Sequence, residues 1–172
     1  ALASAAWSLA TLRGRDAPLL QAIAAPSMPR MPQFGARDVA NTSWAFATLP
    51  LHHGPLLAAL SQAGLRTLPA FEPRHLANTA WSFAALLQPD VPLLQAISRE
   101  AARRIGNGGD RQPFKPQELA NTAWAFATLR LRDAPLLDAV ASATASAIRS
   151  CEAQHLASTA WAYAELAVSH AP

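Results

Sequence analysis

The chain has 172 residues, enough for one domain of ordinary size, and a composition of 51% hydrophobic and 15% charged residues excludes a disordered, solvated polymer. No apolar run approaches the roughly 18–20 residues needed to cross a bilayer, so no membrane partner is expected. The formal net charge is +3 and the sequence pI about 10, but thirteen Arg and one Lys are spread along the chain, which permits an anionic partner without demanding one, and a lone Cys excludes an internal disulfide framework.

Self-similarity organises the sequence. Trp7, Trp44, Trp81, Trp124 and Trp161 are spaced by 37, 37, 43 and 37 residues, each within a Leu-Ala-Asn-Thr-Ala-Trp-Ala-Phe-Ala cassette or a close variant. A Leu falls five residues after every Trp, and a Pro-Leu-Leu triplet begins eleven residues after the first four. Phe34, Phe71 and Phe114 lie ten residues before a Trp, and Cys151 takes that place in the last copy, where a small buried hydrophobe is expected rather than a nucleophile.

Taken in chain order, residues 1–13 begin inside a cassette and are expected to form a first helix of type A. Counted from Trp at about 100° per residue, Leu at −5, Ala at −4 and −1, the aromatic at +2, Ala at +3 and Leu at +5 cover an arc of about 220°. Such a helix is packed on more than one side. A B helix follows, its free N–H groups capped by Asp16, and it is expected to stop near Ala25 because Pro26, Pro29 and Pro32 each remove a backbone donor. The second copy places helix A near 36–49 and helix B near 54–67, with His53 where the other copies have a capping Asp. In the third copy, helix A spans about 73–88, with Pro73 in its first turn, and helix B spans 91–105 behind Asp90. A six-residue excess around Gly106–Arg111 explains the interval of 43 as a loop insertion. The fourth copy gives 116–130, opened by Pro116, and 134–149, capped by Asp133; the last gives 153–168 with no B helix after it.

Nothing in the chain alternates like a strand. The expected fold is therefore all-α: an α-solenoid of antiparallel helix pairs with a repeat of about 37 residues, four full repeats and a final unpaired helix. Residues 1–172 form a single array, with repeats near 1–34, 35–71, 72–114, 115–151 and 152–172. Because Leu156, Trp161, Tyr163 and Leu166 belong to the most apolar part of the repeat, the chain is expected to be a piece of a longer array or to have its apolar ends covered by protein neighbours.

A narrow polar stripe remains on helix A at positions −7, −6, −3, +1 and +4. It comprises Arg37, Asp38, Asn41, Ala45 and Thr48, then Arg74, His75, Asn78, Ser82 and Ala85. Gln117, Glu118, Asn121, Ala125 and Thr128 follow, and the last copy has Gln154, His155, Ser158, Ala162 and Glu165. Stacked repeats would align these positions as columns, where an extended ligand could be read one unit per repeat. The uniform column Asn41, Asn78, Asn121 is expected chiefly to be a structural ladder satisfying backbone groups, with amide contacts to nucleotides as the other reading. The columns that vary, Arg37, Arg74, Gln117, Gln154 and Asp38, His75, Glu118, His155, suit base readout and unconstrained exposure equally. The Trp column is expected to be core packing rather than a base-stacking surface.

Catalysis has no visible constellation. His75 and His155 are two repeats apart and cannot share a metal, and His52-His53 lacks a third ligand at metal spacing. Gly106–Gly109 lacks the Lys-Ser/Thr of a phosphate loop, and there is no Gly-x-Ser-x-Gly elbow. No cofactor or metal is expected.

The segments Val39-Ala-Asn-Thr-Ser-Trp-Ala-Phe-Ala47, Leu76-Ala-Asn-Thr-Ala-Trp-Ser-Phe-Ala84 and Leu119-Ala-Asn-Thr-Ala-Trp-Ala-Phe-Ala127 resemble the first-helix signature of octotricopeptide-type repeats. They are also similar to helical repeats that accompany FAST-kinase-like and RAP domains. Pro-Leu-Leu stands where octotricopeptide repeats have Pro-Pro-Pro-Glu-Trp. The resemblance covers essentially the whole chain. It implies a non-catalytic organellar protein, mitochondrial or chloroplast, that binds single-stranded or ribosomal RNA and acts in transcript stability, processing or translation. The alternative it leaves is a protein-interaction scaffold or structural subunit of a large organellar assembly such as a mitochondrial ribosome.

Overall fold

The computed structural model describes residues 2–11, 17–107 and 112–168. Among these residues every regular element is helical, with nine α-helices, three 3-10 segments and no strand. The A helices are α1 (Leu2–Thr11), α3 (Ala36–Thr48), α5 (Pro73–Ala85), α7 (Pro116–Thr128) and α9 (Ala153–Val168). Between them lie the B helices, α2 (Ala17–Ser27), α4 (Gly54–Thr67), α6 (Val91–Gly106) and α8 (Ala134–Ser146). No helix among the described residues is long and apolar enough to cross a membrane.

Side-chain chemistry fixes the B-helix starts as the sequence implied. The carboxylates of Asp90 and Asp133 accept the backbone N–H of Leu93 at 3.1 Å and of Leu136 at 3.2 Å, and His53 Nδ1 accepts that of Leu56 at 3.1 Å. Asp16 lies outside the described residues, as do Gly108–Arg111 of the expected loop insertion. Two A helices end by reversing the backbone twist. Leu87 (φ 50°) and Arg130 (φ 54°) sit in the left-handed region, while Gln88 donates to the Phe83 carbonyl and Leu131 to that of Phe126, both at 2.8 Å. In the second copy Pro50 occupies the equivalent place, where its ring forbids a positive φ.

Helix α2 departs from expectation by continuing through Pro26 to Ser27, after which Met28–Gln33 winds on as a 3-10 helix. Pro26 is in the last turn, and Ala22, whose carbonyl loses its i+4 donor, is exposed to water. The buried Ser27 hydroxyl donates to the Ile23 carbonyl at 2.7 Å, and Arg66 reaches from α4 to the Met31 carbonyl at 2.8 Å. Helix α8 ends at Ser146, short of the expected 149, and Ile148–Ser150 tightens into a 3-10 turn.

Tertiary packing follows residue size. Successive A helices pack side by side, α1 on α3, α3 on α5, α5 on α7 and α7 on α9, and α2, α4, α6 and α8 form a second row against them. The small residues at −4, −1 and +3 (Ala40, Ser43 and Ala47; Ala77, Ala80 and Ala84; Ala120, Ala123 and Ala127) are buried between A helices and allow this close approach. Phe46, Phe83 and Phe126 at +2 fill the space towards the B row, where they join Leu56, Leu93 and Leu136 in one continuous core. In that row Gly64 is buried at a close approach: a Cβ there would stand 3.1 Å from the Leu93 side chain.

Candidate functional site

Burial along each A helix selects one face. On α5 the residues from Pro73 to Leu86 that retain accessible surface are Arg74, Asn78, Trp81 and Ala85, spaced 4, 3 and 4 apart and therefore aligned along the helix. Arg37, Asn41, Trp44 and Thr48 are likewise accessible on α3, and Gln117, Asn121, Trp124 and Thr128 on α7. On α9 the corresponding residues are Gln154, Ser158, Trp161 and Glu165. The expected stripe is thus right at −7, −3 and +4, right at −6 for Asp38, Glu118 and His155, which are partly exposed, but not for the buried His75, and wrong at +1, where Ala45, Ser82, Ala125 and Ala162 are completely buried. Trp takes the place assigned to +1.

The Trp column is therefore core packing in part: Trp44, Trp81 and Trp124 pack against the hydrophobic core and keep one side accessible. Trp44, Trp81 and Trp124 are partly exposed, and Trp7 and Trp161 retain 44% of their surface. Ring centroids lie 6.4 Å apart for Trp7 and Trp44, 6.2 Å for Trp81 and Trp124, and 6.4 Å for Trp124 and Trp161, with planes tilted by 36°, 33° and 31°. Ring-on-ring contact supports the column within Trp7–Trp44 and within Trp81–Trp124–Trp161. The sequence misleads about the accessible side because an invariant Trp among Ala residues has the pattern of a core.

Beside the indoles run Asn41, Asn78 and Asn121, all partly exposed. Their side-chain amides make no hydrogen bond to any described residue, so the expected ladder satisfying backbone groups is not present. Each amide keeps two donors and an acceptor for other use.

The varying −6 column has a structural occupation. Asp38 Oδ2 accepts the Gly35 N–H at 3.2 Å, His75 Nδ1 that of Glu72 at 3.1 Å, Glu118 Oε2 that of Lys115 at 2.8 Å, and His155 Nδ1 that of Glu152 at 3.2 Å. All four close the first turn of an A helix as the third-residue half of a capping box. Asp, Glu and neutral His are interchangeable there because the turn requires only an acceptor. Burial pushes the His75 pKa down, as does Arg74 and, more weakly, Arg37, while Glu72 opposes them. Burial also pushes the Glu118 carboxyl up, against the Lys115 N–H that it accepts.

At the N-terminal edge of the face, Arg37 is exposed and has no ion pair among the described residues, while Arg74 pairs with Glu72 at 2.9 Å. A cleft of about 690 Å³ opens beside this edge, and Glu72, Arg74, Lys115 and Glu118 balance two charges of each sign along it. Arg103 and Arg104 belong instead to the B row on α6, where both bond to Glu100, at 2.8 Å and 2.6 Å. Cys151 is half-buried and its thiol lies 3.4 Å from the Ala147 carbonyl.

The face thus brings together Arg37, Arg74, Gln117 and Gln154 at one edge and the Asn and Trp columns along its length, while Asp38, His75, Glu118 and His155 are tied to the backbone. Such an arrangement can stack against planar groups and hydrogen-bond polar edges, with Arg37 as an exposed cation at one margin. Compared with known families and characterised proteins, the chain gives no match.

Proposed function

We propose that this protein is a non-catalytic, RNA-binding α-solenoid of about 37-residue repeats whose A-helix face meets single-stranded RNA. The observation that carries the reading is the partly exposed Trp column flanked by Asn amides that have no hydrogen-bond partner among the described residues. Aromatic faces and polar groups are what a single strand requires, and Arg37, together with Arg74 beside its Glu72 partner, is placed to meet its phosphates. The resemblance of the Trp cassettes to octotricopeptide-type repeats supports the same reading, and with it an organellar role in transcript stability, processing or translation. Titration with random-sequence single-stranded RNA, followed by tryptophan fluorescence at two salt concentrations, tests it. Quenching that weakens as salt rises is the expected result, and a folded protein that binds no RNA at low salt overturns the proposal.

A second reading, a scaffold within a large organellar assembly, draws on the outer flank of α9. Ala157, Ala160, Trp161 and Ala164 are exposed there, whereas the equivalent Ala120, Ala123 and Ala127 of α7 are buried. Under this reading the flank receives a protein neighbour. Capture of a protein that is lost on Ala160→Arg, in a chain that binds no RNA, would favour it.

A further inference from the structure

Resting on the proposal that RNA occupies the A-helix face, we infer that this face holds a single strand without reading its sequence, each base lying against a Trp and meeting an Asn amide. Sequence readout by repeats requires accessible positions whose chemistry differs from repeat to repeat. The most varied column, Asp38, His75, Glu118 and His155, is spent on closing helix turns, and each member does the same work there. Position +1 is buried in the last four copies. What the three central repeats offer in the middle of the face is the same pair every time, Asn at −3 and Trp at 0.

Both residue types suit a sequence-tolerant grip. Every base has a π-face for an indole, and a carboxamide presents a donor and an acceptor together, so some edge of any base satisfies it. Three neighbouring indole pairs are already in ring contact, with centroids 6.2–6.4 Å apart and planes tilted by 31–36°, so a base meets the column from its open side. Duplex RNA, whose base faces are already stacked, is excluded from this contact. The variation that remains lies at the two margins of the face, Arg37 and Arg74 against Gln117 and Gln154 at −7 and Thr48, Ala85, Thr128 and Glu165 at +4, and leaves the central Asn and Trp pair unchanged.

The test uses single-stranded RNA oligomers of equal length and composition in permuted order, together with a hairpin duplex, all titrated by tryptophan fluorescence. The permuted strands are expected to bind within about threefold of one another, with quenching, and the duplex more weakly. Asn78→Ser and Asn121→Ser, which place in the central copies the residue that Ser158 already supplies in the last, are expected to weaken every strand alike. A tenfold or greater spread among permutations, or a changed order of preference in the Ser variants, overturns the inference but leaves RNA binding standing. Binding without quenching places the RNA away from the ladder and also overturns it. If no RNA binds while an extended uncharged peptide quenches the ladder, the RNA reading falls together with the inference.

Discussion

His75 Nδ1 accepts the backbone N–H of Glu72 at 3.1 Å, so the first turn of α5 closes only while that nitrogen is unprotonated. Burial, then Arg74, hold the His75 pKa below its ordinary value, and Glu72 only partly offsets them. A depressed folded-state pKa means that the stabilising contribution is fully present above the unfolded value of about 6.5 and is lost as pH falls through the folded value. The melting temperature is therefore expected to fall between pH 7.5 and pH 5. His75→Gln, which keeps an acceptor that does not titrate there, should reduce that fall. Identical pH profiles for variant and parent would remove His75 as a source of it.

Phe83 and Trp81 separate core from face within one helix. Phe83 is 1% exposed and its truncation to Ala should cost about 3–5 kcal/mol. Trp81 is larger but partly open to water, so Trp81→Ala should cost less despite removing more atoms. Urea unfolding of the two variants gives the order, and a greater loss for Trp81→Ala would return the Trp column to the interior.

Leu87 holds a φ of 50° with its side chain 69% exposed, so it bears the strain of the left-handed region and gains little from packing. Leu87→Gly is expected to stabilise the fold by about 1 kcal/mol, the cost of that conformation for a residue with a Cβ. Chemical denaturation checks this, and a destabilised variant would mean that the Leu87 side chain packs more than its exposure implies.

Asn78 makes no side-chain hydrogen bond within the described residues. Asn78→Ala should therefore stay within about 0.5 kcal/mol of the parent, as surface changes do, while weakening RNA binding. A thermal melt beside a fluorescence titration distinguishes this from a structural amide, whose loss would lower the melting temperature.

Arg37 and Arg74 lie at the edge of the face, whereas Arg103 and Arg104 are held by Glu100 on α6. Changing Arg37 and Arg74 together to Gln should reduce affinity for RNA and flatten its salt dependence, with the melting temperature unchanged. The same exchange at Arg103 and Arg104 should leave the salt slope as it was. Equal effects from both pairs would place the RNA elsewhere.

The sequence by itself determined the helices, their order and most of their ends. The Trp interval, the capping Asp90 and Asp133 and the first-turn Pro73 and Pro116 are local signals, and local hydrogen bonding is what they control. It also located the accessible positions −7, −3 and +4, because helical periodicity fixes direction. Only tertiary packing decided which large residue faces outward. Phe46, Phe83 and Phe126 and Trp44, Trp81 and Trp124 are two residues apart in equally apolar surroundings, and periodicity alone does not tell interior from surface in a helix apolar on most sides. The close approach of neighbouring A helices across Ala40, Ala77 and Ala120 leaves room for the phenyl rings towards the B row, while the indoles pack at the rim of the core with one side accessible. The −6 residues are instructive in the opposite sense. Their variation is that of an exposed column, yet Asp38, His75, Glu118 and His155 do one task, because a backbone N–H three residues earlier in the chain donates equally well to a carboxylate oxygen or an imidazole nitrogen.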